Sequence, residues 1–200
     1  MRKVYFICFT AIVITSCVSS LYPISDNENN FLIREELLGH WVDKDMQTQI
    51  IIIKAENKKY GVTVIDKKFN EGKQEVAKYD TSYFSGFLIQ LNNQYFFDST
   101  PDTDHPQFDC LGEETKSALL PLHSIYKVHS ISKDQLRLSG MNIDSLQKFI
   151  DKDKNKIKHE KLSKDHILLT LDVGALQKKI LKNKEAAFVF SESIDFNRIK

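Results

Sequence analysis

Short apolar runs separated by polar turns dominate the middle of the chain and predict β-strands. Most of the runs are rich in β-branched or aromatic residues, and short connections such as "LNNQ" favour antiparallel hairpins. The predicted strands cover residues 49–54, 60–66, 74–79, 83–91, 94–98, 119–131 and 135–139. The pattern therefore predicts a sheet made mainly of antiparallel strands.

One of these strands, residues 83–91, is apolar on both faces. Because alternate residues of a strand share a face, Phe84 and Leu88 point to one side and Phe87, Ile89 and Leu91 to the other. A strand that faces water on one side normally carries polar residues there. We therefore expect another layer of the protein to cover this strand.

The last third of the chain mixes strands with helices. Apolar residues recur at helical spacing from Asn142 to about residue 151, and again over residues 173–181 after Asp172. Asn and Asp are residue types that cap helix N-termini. Strand patterns lie at residues 157–162 and 166–171. Both predicted helices are amphipathic, and we expect them to pack against the strand at residues 83–91 and shield its second apolar face from water.

The first seventeen residues have the pattern of a targeting signal. Arg2 and Lys3 precede an apolar run over residues 4–13, which is shorter than the roughly 20 residues that a membrane-spanning helix needs. The sequence "ITSC", which ends at Cys17, resembles the lipobox of bacterial lipoproteins. The resemblance implies cleavage before Cys17 and attachment of a diacylglyceryl group to its thiol.

This resemblance divides the chain into three parts. Residues 1–16 are the expected signal peptide, residues 17–30 the lipidated N-terminus and a flexible polar tether, and residues 31–200 a single β-rich globular domain. In this class of protein, an Asp directly after the cysteine favours retention at the inner membrane. Because Val18 stands there, we expect a lipid-anchored protein of the cell envelope, at the outer membrane rather than the inner one.

The segment "LLGHWV" resembles the Gly-x-Trp entrance of lipocalin-like barrels. A short helix is predicted between Phe31 and Gly39, with the glycine as its C-cap and Trp41 opening the first strand. The resemblance implies that Trp41 packs across the closed end of the barrel, against an arginine from near the last strand. Arg198 is the only late arginine, although "FNRIK" has no clear strand pattern.

The predicted fold is therefore α+β. It consists mainly of an antiparallel sheet curled toward a lipocalin-like barrel, with two C-terminal amphipathic helices packed against it. The order of lipobox, tether, "LxGxW" and meandering strands also resembles small uncharacterised bacterial lipoproteins. That resemblance implies a fold and a location but no reaction.

Charge and cysteine content narrow the range of functions. The chain has 28 Lys and Arg against 27 Asp and Glu, and without Arg2 and Lys3 the balance is 26 against 27. A nucleic-acid-binding protein normally carries a basic face, so no nucleic-acid partner is expected. Once Cys8 leaves with the signal and Cys17 is lipidated, only Cys110 remains. No intramolecular disulfide can then form.

Candidate metal sites are weak in the sequence. His123 and His129 share a strand face but lie about 20 Å apart, too far to hold one ion. The loop "DSTPDTDHPQFD" contains several acidic residues, among them Asp98, Asp102 and Asp104, but it has prolines where calcium loops have a central glycine. We therefore predict no metal and no cofactor.

No nucleophile elbow, phosphate loop, dinucleotide fingerprint or zincin helix is present in the sequence. We therefore predict a non-enzymatic, lipid-anchored protein that binds a small apolar ligand or an envelope protein partner, at ligand-binding residues that the sequence leaves undetermined. The alternative is an envelope hydrolase or metal-dependent enzyme whose residues converge only in the fold. Its first candidates are His40, His123, Asp98 and Asp104.

Overall fold

A computed structural model of the chain describes residues 18–68, 78–109, 111–112, 115–116, 119–152, 157–182 and 190–199. In chain order, its strands are β1 (Val18–Ser20), β2 (Phe31–Leu32), β3 (Gly39–Asp43), β4 (Thr48–Lys54), β5 (Tyr60–Lys68), β6 (Lys78–Leu91), β7 (Gln94–Pro101), β8 (Ser124–Ile131), β9 (Gln135–Gly140), β10 (His159–Ser163), β11 (His166–Leu169) and β12 (Ile194–Arg198). Helices α1 (Ile143–Lys152) and α2 (Val173–Lys182) lie between β9 and β12 in the sequence, together with β10 and β11.

Eight of these strands close into an antiparallel β-barrel. Strands β3 to β9 pair in sequence order, and β12 completes the ring by pairing with both β9 and β3. Within that closure, Phe196 of β12 lies opposite Leu136 of β9 and Asp43 of β3. The barrel that the sequence predicts is confirmed, with its strands in up-and-down order and β2 added beside β6.

The interior of the barrel is apolar. Inward-facing side chains alternate with outward-facing ones along each strand, and the buried inward-facing ones are apolar. Its buried cluster comprises Leu37, Trp41, Ile50, Ile52, Tyr60, Val62, Leu88, Phe97, Val128, Leu136 and Phe196. On β6, Leu88 belongs to this cluster, whereas the next residue, Ile89, belongs to another. The doubly apolar strand thus has one face inside the barrel and one outside it.

A second buried cluster includes the outer side of the barrel. Its barrel members are Ile89, Leu91, Phe96 and Ile125, joined by Leu146 and Ile150 of α1, Leu176 of α2, and Ile167 and Leu169 of β11. Ile89 is only 1% exposed. The outer face of β6 is therefore buried among apolar side chains at this position and does not meet water there.

Residues 18–30 pack against the domain, although the sequence predicted a flexible tether from residue 17 to residue 30. Strand β1 pairs in parallel with β11, and Val18 and Ile24 are completely buried. Ser20 exchanges two backbone hydrogen bonds with His123, each 2.8 Å long. Polar composition suggested solvent exposure, but these few apolar residues and backbone bonds hold the segment in place.

Most predicted elements have counterparts in the structure. The patterns at residues 74–79 and 83–91 belong to one long strand, β6, although residues 74–77 lie outside the described part of the chain. Strand β8 begins at Ser124, later than the predicted 119. Both C-terminal helices are present with the expected caps: Asn142 Oδ1 accepts a hydrogen bond from the Ser145 amide, and Asp172 Oδ1 accepts one from the Ala175 amide, each 2.8 Å long.

Two predictions near the ends of the domain were wrong. The predicted helix between Phe31 and Gly39 is replaced by strand β2 and one 3-10 turn, Glu35–Leu37, and Gly39 begins β3. Phe31 pairs with Ile89 on β6 and stacks on Phe87, and this tertiary pairing outweighs the local helical pattern. Strand β12 was not recognised, because its short sequence "IDFNR" has only two apolar positions.

Candidate ligand-binding cavity in the barrel

Trp41 is buried toward one end of the barrel. The indole ring is completely buried, and its Nε1–H donates a hydrogen bond to the carbonyl oxygen of Leu37 at 2.9 Å. Leu37 itself is buried and belongs to the 3-10 turn that precedes β3. The turn and the indole are thus joined at the end of the barrel at which β3 begins and β12 ends.

Arg198, on the last strand, packs against Trp41 at this end of the barrel. Its guanidinium carbon lies 4.1 Å from the centroid of the Trp41 ring. The same group donates hydrogen bonds to the backbone carbonyls of Glu36, at 2.6 Å, of Leu38 and of Lys133. This is the residue that the lipocalin-like resemblance singled out, and it contacts Trp41 from the strand that the sequence pattern missed.

The position of Arg198 explains why a glycine precedes Trp41. Gly39 has a φ of 137°, a conformation that residues with a Cβ rarely adopt. A Cβ at this position would also collide with the guanidinium of Arg198. The Gly-x-Trp pattern therefore serves the packing of Arg198 over the tryptophan.

Beyond this end, the barrel contains a cavity of about 80 Å³ that opens to solvent. The residues that line it are Leu37, Ile50, Ile52, Val62, Val64, Asp66, Ser82, Phe84, Phe97, Ser99, Tyr126, Val128, Leu136 and Leu138. Most of them are apolar. A concave, mainly apolar space with a few polar groups is the usual form of a small-molecule site.

The polar groups lie toward the opposite end, where β5 ends and β8 begins. Asp66 belongs to the last part of β5 and its Oδ1 accepts a hydrogen bond from the hydroxyl of Thr48 at 2.7 Å. Ser99 and Tyr126 occupy the corresponding parts of β7 and β8. The cavity is thus apolar beside Trp41 and polar at its other end.

A second pocket, of about 220 Å³, lies on the outside of the barrel between β6, β7 and the segment around residues 23–31. Asp98 is 3% exposed and each of its oxygens is engaged: Oδ1 contacts Nδ1 of His123 at 2.7 Å, and Oδ2 accepts a hydrogen bond from the Ile24 amide at 2.7 Å. Because the carboxylate accepts, we assign a hydrogen to Nδ1, which leaves Nε2 with a lone pair in the neutral ring.

The structure brings together two of the four residues predicted for an enzyme site. Asp98 and His123 are paired, but the His40 ring is hydrogen-bonded to Gln49 at 2.9 Å, away from that pocket, and Asp104 follows the end of β7 in a turn. Within the described residues, no three His, Cys, Asp or Glu side chains come close enough to hold a metal ion.

Residues of the acidic loop beyond Asp98 make contacts of their own, away from the Asp98–His123 pair. Asp109 forms an ion pair with Lys116 at 3.3 Å, and the ring of His105 stacks on Tyr83 with 3.5 Å between the ring centroids. Asp98, by contrast, is buried beside His123. The lipidation candidate Cys17 and the lone Cys110 both lie outside the described residues.

Tyr60, His129 and Asp195 are among the ionisable groups of the barrel whose pKa values are displaced by their surroundings. Burial raises the pKa of the Tyr60 hydroxyl, which accepts a 2.7 Å hydrogen bond from the Arg34 amide. Burial, followed by the charges of Lys127 and Arg137, lowers the pKa of His129. The hydrogen bond from Arg137 lowers the pKa of Asp195. The Tyr60 interaction ties the segment around β2 to β5.

Comparison with known protein families, curated proteins and solved structures finds no match for this chain. Among the helices of the described residues, none combines the length and the apolar character that crossing a membrane requires.

Proposed function

We propose that this protein is a lipid-anchored, non-enzymatic protein of the bacterial cell envelope whose barrel binds a small apolar ligand. The observation that carries the proposal is the barrel cavity, which is apolar beside Trp41 and polar at the other end. The anchor is supported by the lipobox-like sequence that ends at Cys17. The competing proposal is that the domain binds an envelope protein in place of a small ligand.

We further propose that the barrel is lipocalin-like. Gly39 and Trp41 stand at the start of the first barrel strand, and Arg198 from the last strand covers the indole. These three residues are the features that the resemblance names. They support a barrel with one sealed end, so a ligand enters from the end that carries Asp66.

Binding can be tested with N-phenyl-1-naphthylamine, an uncharged dye whose fluorescence rises in apolar surroundings. We expect saturable binding to the wild-type domain. Val64 lines the cavity, whereas the preceding residue, Thr63, points to the other face of β5. Val64→Trp should therefore fill the cavity and reduce dye binding at least about tenfold, an effect of about 1.4 kcal/mol, whereas Thr63→Trp should leave it unchanged.

Circular dichroism of both variants separates loss of the site from loss of the fold. Equal dye binding by Val64→Trp and the wild type would contradict the cavity as the site. Absence of any saturable binding by the wild type would contradict the apolar-ligand version and leave an envelope protein as the proposed partner.

A second candidate function is supported by the Asp98–His123 pair. With Nδ1–H held by Asp98, Nε2 can accept a proton, and within the described residues it has no hydrogen-bond partner. We propose as this second candidate an ester hydrolase, in which water would attack the carbonyl carbon of the ester while His123 takes a proton from the water. His123 would then return that proton to the leaving alkoxide, which gives an acid and an alcohol.

Hydrolysis of p-nitrophenyl acetate tests this second function. The expected result for a hydrolase is a rate above that of buffer, lost in His123→Gln and kept in His129→Gln, because His129 lies within β8 and its ring contacts Ser139 instead. A wild-type rate equal to that of buffer, or equal rates in both variants, would count against the esterase.

A further inference from the structure

The polar end of the barrel cavity carries a single charged group. Among the described residues that line the space, Asp66 is the only one with a charged side chain, and no lysine or arginine is among them. The other polar lining residues, Ser82, Ser99 and Tyr126, bear neutral hydroxyl groups. A ligand whose apolar part reaches toward Trp41 places its polar end near this carboxylate.

Asp66 is held in a defined position and retains an acceptor for a ligand. It lies opposite Thr48 on β4 and Asp80 on β6. Its Oδ1 accepts the Thr48 hydroxyl at 2.7 Å, and within the described residues no hydrogen bond is made to Oδ2. The neighbouring position on β4 thus contributes the hydroxyl that holds this carboxylate.

Because inward-facing residues alternate along β5, Asp66 shares the face of Val62 and Val64. Asp66 therefore lies at an inward position, at the end of the barrel away from Arg198. A ligand group of like charge brought next to this carboxylate is disfavoured.

We infer that the cavity selects apolar ligands with a positively charged or neutral hydrogen-bonding end, such as alkylamines and alcohols, and rejects fatty acids. This inference rests on the proposed ligand-binding function. An ammonium group forms a charge-assisted hydrogen bond with a carboxylate, and a hydroxyl group can donate to the same oxygen. A fatty-acid carboxylate has neither possibility and meets repulsion.

Octylamine, 1-octanol and octanoate form a matched set of probes, because they share one alkyl chain and differ only in the polar end. Each is used to displace N-phenyl-1-naphthylamine from the full domain at pH 7.5, where the amine is cationic and the acid anionic. We expect octylamine to displace the dye at a concentration at least about tenfold lower than octanoate does, with octanol between them.

The substitution Asp66→Asn tests the origin of the preference. Asparagine keeps an oxygen that can accept the Thr48 hydroxyl but removes the charge, so the difference between octylamine and octanoate should fall to about threefold or less. Asp45→Asn is the control, because Asp45 lies in the exposed turn between β3 and β4 and its loss changes the net charge equally. It should leave the order of the probes unchanged.

The outcomes separate the two claims. Equal displacement by all three probes, tighter binding of octanoate, or an unchanged order in Asp66→Asn would overturn the selection by Asp66 while leaving ligand binding intact. If the dye does not bind the wild type at all, the proposed function itself fails and the selectivity fails with it. A change of order in Asp45→Asn as large as that in Asp66→Asn would assign the effect to overall charge.

Discussion

The guanidinium group of Arg198 lies over the ring of Trp41, with 4.1 Å between the guanidinium carbon and the ring centroid. The two residues come from the last and the first strands of the barrel, which pair directly as β12 and β3. Their contact therefore joins the first and last strands of the barrel.

Arg198→Ala should lower the free energy of unfolding by about 2 kcal/mol, because it removes a cation–π contact and hydrogen bonds to three backbone carbonyls. Arg198→Lys should rescue little of this loss, since an ammonium group lacks the planar fork. Urea denaturation measures both. Arg34→Ala, which removes an arginine whose side chain is 40% exposed and lies 5.9 Å from the Tyr95 ring, is the control and should cost about 0.5 kcal/mol or less.

Gly39→Ala should destabilise the domain by about 1–3 kcal/mol, because its φ of 137° is strained for alanine and the new Cβ meets Arg198. Thermal unfolding of the variant and of the wild type measures this loss of stability. Gly112→Ala is the matched control, since no atom of the described residues lies within 4 Å of a Cβ built there. Similar stability of the two variants would argue against the close packing of Gly39 and Arg198.

The Tyr60 hydroxyl should make the domain sensitive to alkaline pH. Burial raises its pKa in the folded state, so above about pH 10 the unfolded chain loses this proton first. The stabilisation is complete below that pH and declines as the pH rises toward the folded pKa. Urea denaturation at pH 9 and pH 11 should show a fall in stability that is smaller in Tyr60→Phe. Tyr79→Phe, at a half-exposed position, should keep the wild-type fall.

Cys17→Ala should abolish incorporation of labelled fatty acid and release the protein from the membrane fraction of a bacterial host, because the thiol is the proposed site of lipid attachment. Cys110→Ala should leave labelling and membrane recovery unchanged. Membrane recovery of Cys17→Ala equal to that of the wild type would contradict the lipid anchor.

The sequence predicted the barrel well because its strands are rich in β-branched and aromatic residues and its turns have strong local signals. In the β6–β7 turn, Asn92 and Asn93 both have positive φ, as the tight hairpin predicted from "LNNQ" requires. Strand β12 carries no such local signal. Its pairing with β3 and β9 becomes apparent only when the ring closes.

The polar sites were less predictable than the strands. Asp98 and His123 lie 25 residues apart, and only the pairing of β7 with β8, together with the approach of Ile24, brings their side chains into one pocket. Asp66 was not recognised as a cavity residue, because inward direction at that position depends on the register with Thr48. An alternation pattern identifies two faces but does not say which one a barrel encloses.

Strand β1 determines where a recombinant fragment of this protein should begin. A fragment starting at Phe31 would omit Val18 and Ile24, uncover apolar groups beside β11, and leave the buried carboxylate of Asp98 without its backbone donor. One starting at Val18 keeps all of these contacts. Because β1 begins at Val18, an acyl chain on Cys17 would be joined to the folded domain with no intervening spacer. The body of the protein would then rest directly on the lipid headgroups.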